Sequence, residues 1–155
     1  MDAVTYPNEE VRDFINTKVI PLRIPADQKP TAGDYDIQWV PAVMIVDQNG
    51  KEHHRTIGFM PPDELIASIL LGVGNAHCNH GRFSAALECY KQIINQYPRS
   101  HSVQEAIFQT GVSRYKSTNN PEPLMEAYEK LYEEYPDDRW TKRASPSRLI
   151  PLIME

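Results

Sequence analysis

Histidine, cysteine and carboxylate side chains are the groups in this sequence that could bind metal or catalyse a reaction. His77, Cys78 and His80 fall within four residues, and imidazole and thiolate are ligands that Zn²⁺ prefers. On a helix Cys78 lies on a different face from His77, so we expect no metal site from this spacing. His53 and His54 are adjacent on a predicted strand and point to opposite faces, so they cannot chelate one ion together.

The two cysteines do not have the pattern of a redox pair. Thiol–disulfide exchange needs a thiolate with a lowered pKa at a helix N-terminus and a second thiol within reach. Cys78 and Cys89 are 11 residues apart in consecutive predicted helices, which does not meet that requirement. The carboxylates between Glu126 and Glu134 lie on the polar side of the last predicted helix and indicate a solvated face. As written, the sequence predicts no catalytic residue.

Charge and hydropathy argue against two classes of partner. The chain has 155 residues, with 16 Lys and Arg against 21 Asp and Glu. Because affinity for a duplex comes largely from neutralising phosphates, this balance opposes nucleic-acid binding. The longest uncharged stretch, Leu65 to Gly81, turns polar before it reaches the roughly 20 apolar residues of a membrane span. The first residues lack a secretory signal, which predicts a cytoplasmic protein, with an extracytoplasmic location left open should a signal precede Met1.

Hydrophobic periodicity divides the sequence near Met60, with strand signals before it and helix signals after it. Asn8 is predicted to cap a short helix, and Val19 to Ile24 to form a strand. Ala42 to Val46 is predicted to pair as a hairpin with Lys51 to Phe59, because Asn-Gly accepts positive φ at both central positions of a turn. We therefore expect an α/β segment followed by an all-α segment.

The helical half contains an internal repeat. The segment from Gly74 to Pro98 aligns with that from Gly111 to Pro136, and both end in Tyr-Pro. Small and aromatic residues recur at fixed offsets, a pattern that resembles the tetratricopeptide repeat, a helical hairpin of about 34 residues. Since two repeats are fewer than such arrays usually need, we expect the helix that begins at Pro61 to cover one end.

The tetratricopeptide resemblance implies a groove along the inner helices that binds extended or helical peptides. The residues that it would present are Asn75, Asn79, Val112, Tyr115 and Lys116. A protein or peptide is therefore the expected partner, and the oligomeric state stays open. The alternative is that the repeats only dock onto the neighbouring segment of the same chain, because two repeats form a shallow groove.

The first half resembles the C-terminal two-thirds of a thioredoxin fold. The resemblance rests on VIPLRIPAD and on DIQWVPAVMIVDQNGKEHHRTIGF, in which Pro41 takes the place of the family's cis-proline. It implies that Trp39, Val40 and Pro41 form a peptide-facing edge. The alternative is that Pro41 only shapes the turn and Trp39 packs locally. Because the family's Cys-x-x-Cys and central strand are absent, we expect an incomplete sheet.

These patterns predict three segments: a thioredoxin-like segment at 1–72 that lacks its N-terminal part, two repeats at 73–138, and an unassigned tail at 139–155. The expected fold class is α/β then all-α, an incomplete thioredoxin-like sheet followed by a tetratricopeptide-like helical hairpin array. The expected function is a non-catalytic protein-interaction module without cofactor or metal. The alternative is a thiol–disulfide oxidoreductase of redox homeostasis whose Cys-x-x-Cys lies upstream of Met1.

Overall fold

A small α/β segment precedes a stack of helical hairpins in the computed structural model, which describes residues 1–28 and 31–150. The fold class expected from the sequence, α/β then all-α, is confirmed. The first segment contains α1 (Glu9–Lys18), α2 (Thr31–Asp34), β1 (Ala42–Val46) and β2 (Glu52–Ile57). The stack contains α3 (Pro62–Asn79), α4 (Phe83–Gln96), α5 (Val103–Thr118), α6 (Glu122–Glu134) and α7 (Arg139–Ala144), followed by a 3₁₀ helix at Ser145–Leu149. Across these described ranges, no helix is both long enough and apolar enough to cross a membrane.

The predicted hairpin is confirmed, but its turn differs from the expectation. Strands β1 and β2 pair antiparallel, with Ala42 opposite Ile57. In the turn Gly50 has a positive φ of 77° and Asn49 does not. The reason is that the Asp47 carboxylate accepts the backbone N–H groups of Asn49 (2.8 Å) and Lys51 (3.1 Å), which shapes the turn through a side chain.

The predicted strand from Val19 to Ile24 is wrong. The chain leaves α1 in irregular conformation there, and Ile20 is 98% exposed. Pro21 has no N–H to donate to a ladder, and the described part of the sheet has only β1 and β2, so no neighbouring strand is present to pair with this run. A run with high strand propensity forms a strand only where a partner strand and a buried face are available.

The hairpin packs directly on α3. A Cβ on Gly72 would overlap the Ile45 side chain and lie 2.9 Å from the His54 Cβ, so only glycine allows this approach. In the same contact, the hydroxyl oxygens of Ser68 and Thr56 and the His54 Nε2 lie 2.8–3.1 Å from one another, and we call these three side chains the polar triangle. Burial lowers the pKa of His54, which favours the neutral form of this imidazole inside the contact.

The helices of the stack pair through small residues. α3 packs on α4, and α5 packs on α6, where a Cβ on Gly111 would lie 2.7 Å from both the Ala127 Cβ and the Pro123 carbonyl oxygen. The helix that starts at Pro62 continues unbroken to Asn79, so it supplies the first helix of the stack as well as the surface under the hairpin. Large buried side chains fill the seams, among them Leu65, Leu71, Tyr90, Ile93 and Leu131.

The tail left unassigned from the sequence covers the open end of the stack. Asp138 caps α7 by accepting the backbone N–H of Trp140 at 2.7 Å, and Trp140 is only 7% exposed. Its ring lies 5.2 Å from that of Phe108 on α5. Residues 151–155 lie outside the described residues. A short helix thus ends an array of two repeats by burying an aromatic face.

Replacing each of the two tryptophans by alanine compares the stability contribution of a buried side chain with that of an exposed one. Trp140→Ala removes a buried aromatic contact between α7 and α5, so we expect a loss of about 3 kcal/mol in the free energy of unfolding. Trp39, at 71% exposed, is the matched control, and Trp39→Ala should change stability by less than about 0.5 kcal/mol. Urea unfolding followed by circular dichroism measures both. Equal losses would contradict the capping role of α7.

A second stability prediction concerns the approach of α5 to α6. Gly111→Ala gains about 1 kcal/mol of helix propensity but forces a methyl against Ala127 and Pro123, so we expect net destabilisation of about 1–2 kcal/mol. The control is Gly33→Ala, where the structure describes nothing within 4 Å of an added Cβ. Thermal unfolding should show a lower Tm for Gly111→Ala alone. A raised Tm would show that α5 and α6 move apart to admit the methyl group without losing stability.

Candidate functional site

Asn75, a predicted groove residue, is engaged inside the stack. Its Oδ1 accepts the Tyr90 hydroxyl at 2.9 Å, and its Nδ2 donates to the Glu105 Oε1 at 3.2 Å. The amide therefore joins α3, α4 and α5. Desolvation raises the pKa of Glu105, while its hydrogen bond from Asn75 and the charges of Arg139 and Arg143 act in the opposite direction.

Asn79, the second predicted groove residue on α3, contacts the hairpin. Its Nδ2 lies 2.9 Å from the His53 Nδ1 on β2. Together with the contacts at Ser68 and Gly72, this means that β1 and β2 cover one face of α3 along most of its length. The structure thus places Asn75 and Asn79 in contacts with other parts of the chain.

The predicted groove residues on α5 remain accessible. Val112, Tyr115 and Lys116 are spaced three and four residues apart, so they share one face of the helix. Val112 is half-buried, Tyr115 is 39% exposed and Lys116 is exposed. The neighbouring Ser113 points the other way, into the stack, where its hydroxyl donates to the Cys78 Sγ at 3.2 Å. We call Val112, Tyr115 and Lys116 the α5 face.

Trp39, Val40 and Pro41 lead into β1. Trp39 and Val40 are exposed, and the Val40–Pro41 peptide bond is cis, as the thioredoxin resemblance implied. Pro41 is half-buried, and its carbonyl accepts the Gly58 N–H at 2.8 Å, which joins this segment to the end of β2. Ile57 and Phe59 are also exposed there. Together with Trp39 and Val40 they give the hairpin an apolar end, and such exposed clusters are typical of interaction sites.

The thiols lack the features of a redox centre. Cys78 and Cys89 are free, Cys78 is buried against Ser113, and Cys89 is half-buried. Burial raises the pKa of the Cys89 thiol, which opposes the thiolate that exchange chemistry requires.

One group of side chains has the chemistry of metal ligands. Asp47, His53 and His80 each offer a ligand atom, and these atoms lie within 4.8 Å of one another. The sequence interpretation missed this group because no short spacing connects the three residues. His77, which was examined with His80 as a possible metal ligand in the sequence, instead accepts a hydrogen bond from the Arg82 Nε at 3.0 Å.

Comparison with known proteins identifies the helical half. Residues 69–100 and 105–138 match the family model described as tetratricopeptide repeat. The first range begins within α3 and includes α4, and the second begins within α5 and includes α6. No curated protein and no solved structure gives a significant match. The chain therefore carries two tetratricopeptide repeats between residues 69 and 138, as predicted. The N-terminal two-stranded sheet and helix are not identified as thioredoxin-like by these comparisons.

The raised pKa of Glu105 predicts a pH-dependent effect on stability. A carboxyl with a raised pKa in the folded state binds its proton more tightly there than in the unfolded chain, so its ionisation costs stability as pH rises through the folded pKa. We therefore expect Glu105→Gln to be more stable than the parent at pH 7, with the advantage shrinking as pH falls through the folded pKa and lost by pH ~4, near the pKa of a glutamate in the unfolded chain. Urea unfolding at both pH values measures this.

The control for that comparison is Glu129→Gln, which removes the same charge from an exposed position of α6. It should not reproduce the stabilisation at pH 7. A destabilised Glu105→Gln at pH 7 would mean that the charge of Glu105 is needed by the arginines of α7.

Proposed function

We propose that this chain is a non-catalytic protein-interaction module that binds a peptide segment of a partner on the α5 face. The observation that carries the proposal is the exposure of Tyr115 beside Lys116 on the first helix of the second tetratricopeptide repeat. Repeats of this kind use stacked helical hairpins to display an extended surface. The rigid helix holds both side chains in a set position, which lowers the entropy lost on binding.

The chemistry of the α5 face favours one class of peptide. Tyr115 offers a large apolar ring with a hydroxyl that can hydrogen-bond, a combination enriched at interfaces. Lys116 is exposed and attracts a carboxylate, and Val112 adds a half-buried apolar floor. The expected partner segment therefore carries an apolar side chain close to an acidic one.

Because the hairpin docks on α3 in the first repeat, we expect a partner to bind on the second repeat. Its contacts with Ser68, Gly72 and Asn79 occupy the face of α3 next to Asn75. The alternative considered from the sequence, in which the repeats dock onto the neighbouring segment, is therefore proposed for the first repeat alone. Asn79 is exposed but its amide contacts the hairpin, so the α5 face is the part proposed to bind a second molecule.

The N-terminal segment is proposed to be a thioredoxin-like remnant, residues 1–72, that offers a second contact. Support comes from the antiparallel β1–β2 hairpin between α1 and α3 and from the exposed side chains of Trp39 and Val40. Strand β1 has β2 as its single partner among the described residues, so its other edge can accept an extended peptide. In this proposal Trp39, Val40 and Pro41 contact the partner rather than catalyse a reaction.

Selection from a random peptide library against the intact chain tests the proposal. We expect selected peptides to combine apolar and acidic residues, and the double variant Tyr115→Ala, Lys116→Ala to weaken their binding at least tenfold, about 1.4 kcal/mol, by fluorescence anisotropy. Tyr132→Ala is the matched control, because Tyr132 is an exposed tyrosine on α6.

The variants also separate the two surfaces. A loss in Trp39→Ala without a loss in the α5 variant would move the binding site to the hairpin edge. Equal binding by all variants would refute both surfaces.

A further inference from the structure

Asp47, His53 and His80 come from three different elements and meet at one point. Asp47 follows β1, His53 lies on β2, and His80 caps the C-terminus of α3. The Asp47 Oδ2 is 2.9 Å from the His53 Nε2 and 3.4 Å from the His80 Nε2. The two imidazole rings lie 5.3 Å apart. Docking of the hairpin on α3 is what brings the three side chains together.

The non-ligating atoms of all three side chains are already held. The Asp47 Oδ1 accepts the N–H groups of Asn49 and Lys51, which leaves Oδ2 directed at the histidines. The His80 Nδ1 lies 2.7 Å from the Ala76 carbonyl oxygen, and the His53 Nδ1 contacts the Asn79 amide at 2.9 Å. Partners of this kind orient metal ligands in proteins.

The hydrogen bond of His80 has an electrostatic consequence. A carbonyl oxygen only accepts, so the proton of a neutral His80 sits on Nδ1 and its Nε2 presents a lone pair. That lone pair faces a carboxylate oxygen at 3.4 Å. The His53 Nε2 converges on the same oxygen. The contact of His53 with this oxygen is a hydrogen bond, so the repulsion is confined to the His80 Nε2 and the Asp47 Oδ2, and a cation bound by both atoms would replace it with attraction.

From this geometry we propose that Asp47, His53 and His80 form a site for Zn²⁺ or a similar divalent transition-metal ion. Two imidazole nitrogens and one carboxylate oxygen are the donor set that such ions favour over Ca²⁺ or Mg²⁺. Bonds of about 2.0–2.1 Å in a tetrahedral site place ligand atoms about 3.3 Å apart. Two of the three separations, 2.9 and 3.4 Å from the Asp47 Oδ2, are close to this value, and the ligand nitrogens of the two histidines lie within 4.8 Å of each other.

The burial of the three side chains also fits an ion that is accessible to solvent from one side. The His53 side chain is fully buried, Asp47 is 10% exposed and His80 is 36% exposed. The ion therefore reaches the site past His80, where water supplies a fourth ligand. With the metal on the His53 Nε2, its Nδ1 carries the proton, and the Asn79 amide turns over to present its oxygen.

The site fastens the hairpin to the end of α3. Its ligands connect the turn after β1 with the residue that ends the first helix of the stack. Because the ion binds the docked arrangement, it stabilises the hairpin against α3 by an amount that grows with the logarithm of the ion concentration above the Kd.

Titration of the intact, untagged, metal-free chain with Zn²⁺ tests this site. We expect one ion per chain, and at least tenfold weaker binding in Asp47→Asn and in His80→Gln, measured by competition with a chromophoric chelator. Asp47→Asn retains the oxygen that holds the turn, and His80 is partly exposed, so both variants should keep the fold by circular dichroism. Zn²⁺ should raise the Tm of the parent and not of His80→Gln.

The matched control is His101→Gln. His101 also contacts a carboxylate, Glu64 at 3.0 Å, but it is almost fully exposed and, among the described residues, belongs to no group of three potential ligands. This variant should bind Zn²⁺ as the parent does. Equal affinity in Asp47→Asn and His80→Gln, or no binding at about 100 μM Zn²⁺, would overturn the proposal. A thiolate charge-transfer band with Co²⁺ would also overturn it, because it would place the ion on a cysteine.

Discussion

The close approach of other elements to α3 is the constraint on which the rest of the fold depends. Gly72 admits Ile45 and His54 of the hairpin on one face, and Gly74 admits the ring of Tyr90 from α4 on another, with a would-be Cβ 2.6 Å from that ring. A larger residue at either position would push a neighbour away and forfeit the dispersion contacts of a close-packed seam. α3 therefore serves both as the first helix of the repeats and as the support of the small sheet.

This double use of α3 determines which surfaces remain available. The hairpin and the amide network of Asn75 use the part of the repeat surface that lies on α3, whereas α5 keeps Val112, Tyr115 and Lys116 accessible. At the opposite end Trp140 covers α5 with an aromatic contact. The two-repeat array is covered at both ends in this way, and the α5 face lies between the covered ends.

The proposed metal site depends on the same packing. Asp47 and His53 belong to the hairpin and His80 to the end of α3, so their separations exist only while the hairpin is docked. The polar triangle of His54, Ser68 and Thr56 lies in the same interface and satisfies groups that would otherwise be buried without partners. The proposed recognition by the repeats and the proposed metal coordination thus both depend on the docking of the hairpin on α3.

By itself, the sequence determined the elements whose signals are local. The Asn8 cap, the prolines at the start of α3, the hairpin around Gly50 and the repeat spacing from Gly74 to Pro136 could all be predicted. Caps, turns and helical periodicity act within a few residues. Only the tertiary structure decided that Val19 to Ile24 forms no strand, since a strand needs a partner. It also decided that 139–149 caps the stack and that Asp47, His53 and His80 meet, because residues distant in sequence come together only when packed elements bring them into contact.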